Sequence, residues 1–221
     1  MTEPVPPEDD GSALVPAVLA AYAAYRAYRG AHDSIPSGDW VQTATVLGLK
    51  AIIGAQLVRL AYRALNRQRD AAGRPGDELL AHVQQATDAG VEAGFRALAQ
   101  AIVWTDVHST GDLTPKDIAG PGDRAPVPTL GNPPELLAEM VAGATVDAAQ
   151  FQAAQSAGWQ KVTWRTRQDD HVRQAHQDLE GKSVTLGASF LPDVKLRFPH
   201  DPRAPIALTA NCRCRLAASR R

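Results

Sequence analysis

Apolar residues recur at helical spacing through most of the first 160 residues. Four stretches have apolar positions three or four residues apart: residues 12–29, 39–68, 77–107 and 134–160. Such spacing places the apolar side chains on one face of an α-helix, which can then be buried against neighbouring helices. The pattern therefore predicts a region of long, packed helices, with Ser12 as the N-terminal cap of the first.

Proline and glycine separate these helical stretches. Residues 111–134 contain six prolines and four glycines. That density excludes a regular helix or strand and predicts a linker or an extended strap. Residues 71–77 are predicted to form a turn for the same reason, and the acidic, proline-rich residues 1–11 predict a disordered leader.

The pattern changes after Trp164. A short polar helix is predicted over residues 169–179, ended by Gly181, and three stretches then alternate like short strands: residues 182–186, 188–194 and 196–200. The predicted fold class is mainly α, with a long-helix N-terminal region and a small C-terminal α+β module. Its predicted divisions are a leader (1–11), a helical region (12–110), a linker (111–134), a long helix (135–163) and the module (164–221).

The composition indicates how the core is built. Hydrophobic residues make up 44% of the chain, but aromatic residues make up only 5%, so the core must rest on Ala, Val, Leu and Ile. Helices that approach one another through small side chains suit this composition better than an aromatic-rich β-sandwich does.

The charge balance gives no general attraction for nucleic acid or anionic membranes, because the formal net charge is only -1. The most apolar stretch, residues 45–62, is interrupted by charged and polar residues, and no secretion signal is visible. We expect no membrane contact and synthesis in the cytoplasm. Four arginines form a basic C-terminal end: Arg213, Arg215, Arg220 and Arg221. We expect this end to be solvated, and weak contact with DNA is the alternative.

The candidate chemistry lies in the C-terminal module. Asp169, Arg173 and His176 fall at offsets of four and seven residues, which places them on one face of the predicted polar helix. Cys212 and Cys214 alternate along an extended segment, so both sulfurs face the same side. In a reducing compartment both are thiols. The sequence predicts that these five residues form one structural cluster, with an ion pair between Asp169 and Arg173.

The same cluster contains three candidate ligands for a structural zinc ion. His176, Cys212 and Cys214 would supply one imidazole and two thiolates, the donors that zinc prefers. A fourth ligand could come from one of three side chains: Asp169, Asp201 or His200. The alternative is a metal-free core, since Cys-x-Cys differs from the usual Cys-x-x-Cys knuckle and the chain has only two cysteines.

The sequence predicts no catalytic centre. A thiol hydrolase would pair Cys212 or Cys214 with His176 and Asp169, but neither cysteine precedes a glycine-rich turn or a helix. The acidic pairs lie outside metal-hydrolase motifs, and no G-x-S-x-G is present. The Gly-Lys-Ser string at residues 181–183 lacks the upstream glycine of a phosphate-binding loop. We therefore expect a protein that is not an enzyme.

The order of residues in the module resembles a known family. The relevant residues are Trp164, Asp169, Val172, Arg173, His176, Leu179, Gly181, Phe190, Pro199-His200-Asp201-Pro202 and Asn211-Cys212-Arg213-Cys214. This series resembles the C-terminal domain of phage Mu F-like head morphogenesis proteins. The chain departs from the family at His200, where glycine is more frequent. The first 160 residues carry no assignable motif.

The resemblance implies a minor head protein of a tailed phage or prophage. Such a protein would be made in the host cytoplasm and would lie inside the virion head in low copy, next to the portal protein and the inner capsid. Its role would be in head morphogenesis and in genome packaging or delivery. The alternative from another class is a helical protein-interaction module without a virion role.

Overall fold

The computed structural model describes residues 11–32, 40–72, 81–109, 134–169, 172–210, 212 and 214–220. The predicted leader and linker lie outside these residues, except for Gly11 and Pro134 at their ends. After a 3-10 turn at Ser12–Leu14, the helices are α1 (Val15–Ala31), α2 (Trp40–Val46), α3 (Leu49–Ala72), α4 (Val83–Ser109) and α5 (Pro134–Ser156). The C-terminal module contains β1 (Lys161–Arg165), α6 (Gln174–Gln177), β2 (Ser183–Thr185), α7 (Ile206–Thr209) and β3 (Arg215–Ser219).

The fold class predicted from the sequence is confirmed. The chain is mainly helical, and its strands form one small antiparallel sheet near the C-terminus. Among the described helices, none combines the length and the apolar character that a membrane span requires.

Several helix boundaries differ from the predicted ones. The single helix expected over residues 39–68 is wrong, because Gly48 adopts a left-handed φ of 61° and separates α2 from α3. α5 ends at Ser156, before the predicted residue 160, and Gly158 follows with a φ of 71°. Ser12 is not the N-cap of α1, because it lies inside the 3-10 turn and Leu14 occupies the N-cap position.

α4 approaches α5 and α3 through glycine. A methyl group at Gly90 would lie 2.7 Å from the carbonyl oxygen of Thr145 and 2.9 Å from Cβ of Ala149. One turn later, Gly94 faces Thr145 and Leu57 with equally little room. Any side chain at these two positions would push the helices apart, so the small residues of the sequence determine how closely the helices pack.

α5 lies at the centre of the molecule. It contacts α1, α3, α4 and β3, and residues on all its sides are buried between Leu137 and Ala154. A helix that is apolar all round is normally enclosed on all sides. α5 therefore serves both regions, because the helices cover part of it and the C-terminal module covers the rest.

The sheet has the order β2-β1-β3, and both pairings are antiparallel. Val162 and Trp164 of β1 point inward and are fully buried. The prediction of a strand at residues 182–186 is confirmed by β2, whereas strands at 188–194 and 196–200 are wrong. Those residues form turns, closed by the hydrogen bond from Phe190 N to the carbonyl of Leu196 at 2.8 Å.

Candidate functional site

Three elements bring the predicted metal ligands together. The elements meet in the core of the module: β1 through Trp164, α6 through His176, and the segment that precedes β3. Nδ1 of His176 lies 3.5 Å from Sγ of Cys212 and 3.7 Å from Sγ of Cys214. The three side chains expose 1%, 2% and 0% of their surface. The predicted convergence of His176 with both sulfurs is therefore present in the structure.

α6 is held in place by its surroundings. Gly181, with a φ of 71°, ends the turn that follows α6, and its N–H donates to the carbonyl of Trp164 at 3.0 Å. In return, Trp164 N donates to the carbonyl of Lys182 at 2.9 Å. The ring of Trp164 packs edge-on against those of His176 and Phe190, with centroids 5.2 Å apart in each case. β1 therefore fixes both the backbone and the ring of the candidate ligand.

The predicted helical face of Asp169, Arg173 and His176 is wrong. Among the described residues from 169 to 179, only 174–177 are helical, and Arg173 has an extended backbone (φ -60°, ψ 147°), so the offsets of a helix do not apply. No ion pair joins Asp169 to Arg173, both of which are described residues. The guanidinium of Arg173 donates instead to the carbonyls of Leu208 (3.2 Å) and Ala210. It therefore stabilises the backbone that leads to Cys212.

His200 links the module to α5. Its Nδ1 lies 2.9 Å from Oδ2 of Asp147, and its Nε2 lies 2.6 Å from the carbonyl oxygen of Cys212. A carbonyl can only accept, so Nε2 carries a proton. The other carboxylate oxygen of Asp147 accepts from Leu216 N at 3.3 Å. Asp147 and His200 are both buried, and together they connect α5 to both sides of the cysteine segment.

Two backbone features accommodate the His200 ring. A methyl group at Gly143 of α5 would lie 2.6 Å from ring atoms of His200, so only glycine admits the imidazole here. His200 itself has a φ of 60°, in the left-handed region that favours glycine. The hydrogen bonds of the ring offset the backbone strain that histidine incurs.

The electrostatics of the cluster follow from burial. Burial alone lowers the pKa of His200, but the charge of Cys212 and the hydrogen bond to Asp147 raise it to about 10. Burial raises the pKa of Asp147, while His200 counteracts this effect. Burial likewise raises the pKa of Cys212, but the hydrogen bond from Cys214 and the charge of His200 lower it well below its ordinary value.

The pKa values of the two cysteines shift in opposite directions. The hydrogen bond to Cys212 and burial both raise the pKa of Cys214, so Cys212 loses its proton more readily than Cys214 does. Both cysteines are free of disulfide bonds. The charged forms of Cys212 and His200 have opposite signs, and each favours the other in the low-dielectric interior.

The arrangement matches zinc in distance but supplies only three ligands. Tetrahedral zinc with Zn–S of about 2.3 Å and Zn–N of about 2.0 Å separates nitrogen from sulfur by about 3.6 Å. The observed 3.5 and 3.7 Å agree with this value. Within the described residues, no further His, Cys, Asp or Glu joins the three.

The side chains predicted as a fourth ligand are engaged elsewhere or lie outside the group. Both nitrogens of His200 are hydrogen-bonded, as described above. Asp201 accepts from Nε of Arg197 at 3.0 Å and from the backbone N of Arg203 at 3.1 Å. Asp169 is not part of the ligand group. Nε2 of His176 is buried without a hydrogen-bond partner among the described residues.

The partnership of Asp147 with His200 was not predicted from the sequence. The only charged residue between Val141 and Phe151 is Asp147, and a lone charge in an apolar, buried helix requires a partner of opposite charge. That feature was visible in the sequence. The identity of the partner was not, because His200 lies 53 residues further along the chain.

The basic C-terminal end is only partly described. Arg215 belongs to β3, is half-buried and donates to the carbonyl of Cys214 at 2.9 Å, so the expectation of a solvated end does not hold for this residue. Arg220 is exposed, in agreement with the expectation. Arg213 and Arg221 lie outside the described residues.

No family model matches this chain, and no curated protein or solved structure matches it.

Proposed function

We propose that the protein is a minor head structural protein of a tailed phage or prophage. The observation that carries the proposal is the convergence of the residues on which the resemblance rests. Trp164, His176, Phe190, Cys212 and Cys214 are scattered along the sequence, yet all five are buried in one contiguous core. The shared pattern therefore corresponds to a folded unit, as a domain signature should.

The proposed mechanism is mechanical. The C-terminal module folds onto α5 through the pair of Asp147 and His200, and the outer faces of the helices contact the portal protein and the inner capsid. The protein would lie in the head interior in low copy and act in head morphogenesis and in genome packaging or delivery.

Quantitative mass spectrometry of purified particles tests this proposal, with particles compared full and emptied of DNA. We expect the chain in low copy relative to the major capsid protein, and its loss from emptied particles would mean that it leaves with the genome. Absence from both kinds of particle overturns the virion role. A stable complex with a host protein, and none with the portal, would favour an interaction module instead.

The proposal includes the absence of catalysis. Cys212 and Cys214 expose 2% and 0% of their surface, so a substrate cannot reach the thiolate without opening the core. We expect both thiols to react with iodoacetamide at neutral pH only as fast as the module unfolds. Rapid alkylation of Cys212 alone in the folded protein would favour a Cys/His hydrolase.

We further propose that His176, Cys212 and Cys214 bind one structural zinc ion. The nitrogen–sulfur distances support it, as does the burial of all three donors. When bound, zinc would neutralise the thiolates and crosslink α6 to the segment before β3. The residues themselves orient the donors: Trp164 holds the imidazole, and Arg173 and His200 hold the backbone that carries the sulfurs.

Metal analysis of protein purified without chelators tests the zinc site. We expect about one equivalent of zinc, lost in His176→Gln and Cys214→Ser and retained in the control His32→Gln. His32 is exposed at the end of α1, outside the cluster. Less than about a tenth of an equivalent, with unchanged unfolding in the presence of EDTA, would instead establish the metal-free core.

A further inference from the structure

A cleft on the side of α4 and α5 faces the segment that carries His200, outside the cluster of His176 and the two cysteines. Alanines from both helices line its inner part, and together with the 197–203 segment they enclose about 550 Å³ of space that includes open solvent. Small side chains on two adjacent helices leave this space between the helical region and the module. The cleft is therefore a product of the way the two regions meet.

The guanidinium of Arg197 is held in place within this cleft. Its guanidinium carbon lies 5.1 Å from the centre of the Phe151 ring and 5.4 Å from that of Phe198. Its Nε donates to Oδ2 of Asp201 at 3.0 Å. Stacking and one hydrogen bond fix the plane of the group, while its two terminal nitrogens have no hydrogen-bond partner among the described residues. A planar donor fork held in this way is prepared to bind an oxyanion.

Other lining residues add positive charge and a polar donor. Arg96 of α4 and Arg203 of the segment also line the cleft, as does the amide of Gln152. Two carboxylates oppose them: Asp201, which is already hydrogen-bonded to Arg197 and to the backbone of Arg203, and the exposed Glu92. The described lining therefore carries three guanidinium groups and two carboxylates, and the carboxylate of Asp201 is already hydrogen-bonded.

We propose that this cleft binds a phosphate group, with Arg197 as its principal donor and Arg203 as a second. Phosphate carries more negative charge than a carboxylate and offers several oxygens to more than one guanidinium. The group could belong to a polynucleotide backbone or to a free phosphate or nucleotide, which share the same chemistry. The rings of Phe151 and Phe198 hold the guanidinium plane of Arg197 in the same orientation before and after binding, so little side-chain entropy is lost.

Isothermal titration calorimetry of the whole chain tests the proposal with four probes: inorganic phosphate, AMP, a short DNA duplex and polyglutamate. We expect binding of at least one phosphate-bearing probe. Arg197→Gln should weaken this binding about tenfold. The side chain of Arg203 is exposed and makes no hydrogen bond to another described residue. Arg203→Gln should therefore weaken binding about threefold without affecting the fold. The exposed Arg26→Gln on α1, which removes the same charge outside the cleft, should leave affinity within about twofold.

Glu92→Gln sharpens the test, because it removes the unpaired carboxylate of the lining and should tighten phosphate binding about two- to threefold. Binding of AMP or inorganic phosphate identifies the free source, and binding of the duplex alone identifies the polynucleotide. Binding of polyglutamate alone, of no probe, or equal losses in Arg26→Gln and Arg197→Gln would overturn the proposal. None of these outcomes bears on the virion role, which particle composition tests separately.

Discussion

The helical region and the C-terminal module are stabilised in different ways, although both cover α5. In the helical region, many small apolar contacts are spread over α1, α3 and α4, and none of them is chemically special. The module adds to its apolar core a set of buried polar groups that tie its segments to one another and to Asp147 of α5: Arg173, His176, His200 and the two cysteines. The first kind of stability depends on shape and volume. The second depends on the identity of single atoms.

This difference predicts how each region responds to substitution. Apolar cores accept volume-conserving changes because no partner is left unsatisfied. A buried charge or hydrogen-bond donor has no such tolerance, since removing its partner leaves the desolvation penalty in place. Four substitutions, ordered from the largest expected effect to the smallest, test the comparison.

Asp147→Ala should have the largest effect. It leaves the buried His200 without its counter-charge and the N–H of Leu216 without an acceptor, so we expect a loss of about 3–5 kcal/mol of unfolding free energy. Urea denaturation measures it. The exposed Asp88 of α4 provides the control, and Asp88→Ala should change stability by less than about 0.5 kcal/mol. Equal effects at both positions would contradict the role of the buried pair.

Arg173→Met and Leu98→Met place the same side chain in the two regions. Arg173→Met removes both donors to the carbonyls of Leu208 and Ala210 and should lower stability by about 2–3 kcal/mol. Leu98 is fully buried in α4, and its conversion to Met should cost less than about 1.5 kcal/mol. A larger drop in the denaturation midpoint for Leu98→Met than for Arg173→Met would contradict the proposed difference between the two regions.

Gly143→Ala tests the close contact between α5 and the His200 ring. The added methyl group would collide with the imidazole at 2.6 Å, so we expect a loss of about 1–3 kcal/mol from overpacking. In a His200→Gly background the ring is gone, and Gly143→Ala should then be nearly neutral. A double-mutant cycle measures this coupling, and additive losses would mean that the two residues act independently.

Glu180→Gln should have the smallest effect, and one that depends on pH. Burial raises the pKa of Glu180, but hydrogen bonds from Thr166 and Arg165 lower it below its ordinary value of 4.5. A lowered pKa contributes stability that is present above the unfolded value and is lost as the pH falls through the folded value. The wild type should therefore lose more stability than Glu180→Gln on acidification below about pH 5, by less than about 1 kcal/mol. Parallel pH profiles would disprove this contribution.

The same contrast explains what the sequence could predict. Helix spacing and Cys-x-Cys alternation depend on residues close in sequence, so the helices and the convergence of the two sulfurs were predictable. The addition of His176, which lies 36 and 38 residues before the cysteines, was inferred from the donor chemistry of the three side chains and not from local spacing. The strand at residues 161–165 was not, because five residues after a long helix form a strand only when β2 and β3 flank them. Nor was the role of Arg173, whose acceptors lie 35 and 37 residues away.

The enclosure of α5 has a consequence for the newly made chain. His200 and Leu216, which cover one side of this helix, lie 53 and 69 residues after Asp147. A ribosome that adds about 5–20 residues per second leaves that side uncovered for about 3–14 seconds. During this interval an unpaired carboxylate and bare alanine surface are open to chaperones and proteases. Chains stalled before residue 196 should therefore be cleaved within α5 far faster than the completed protein.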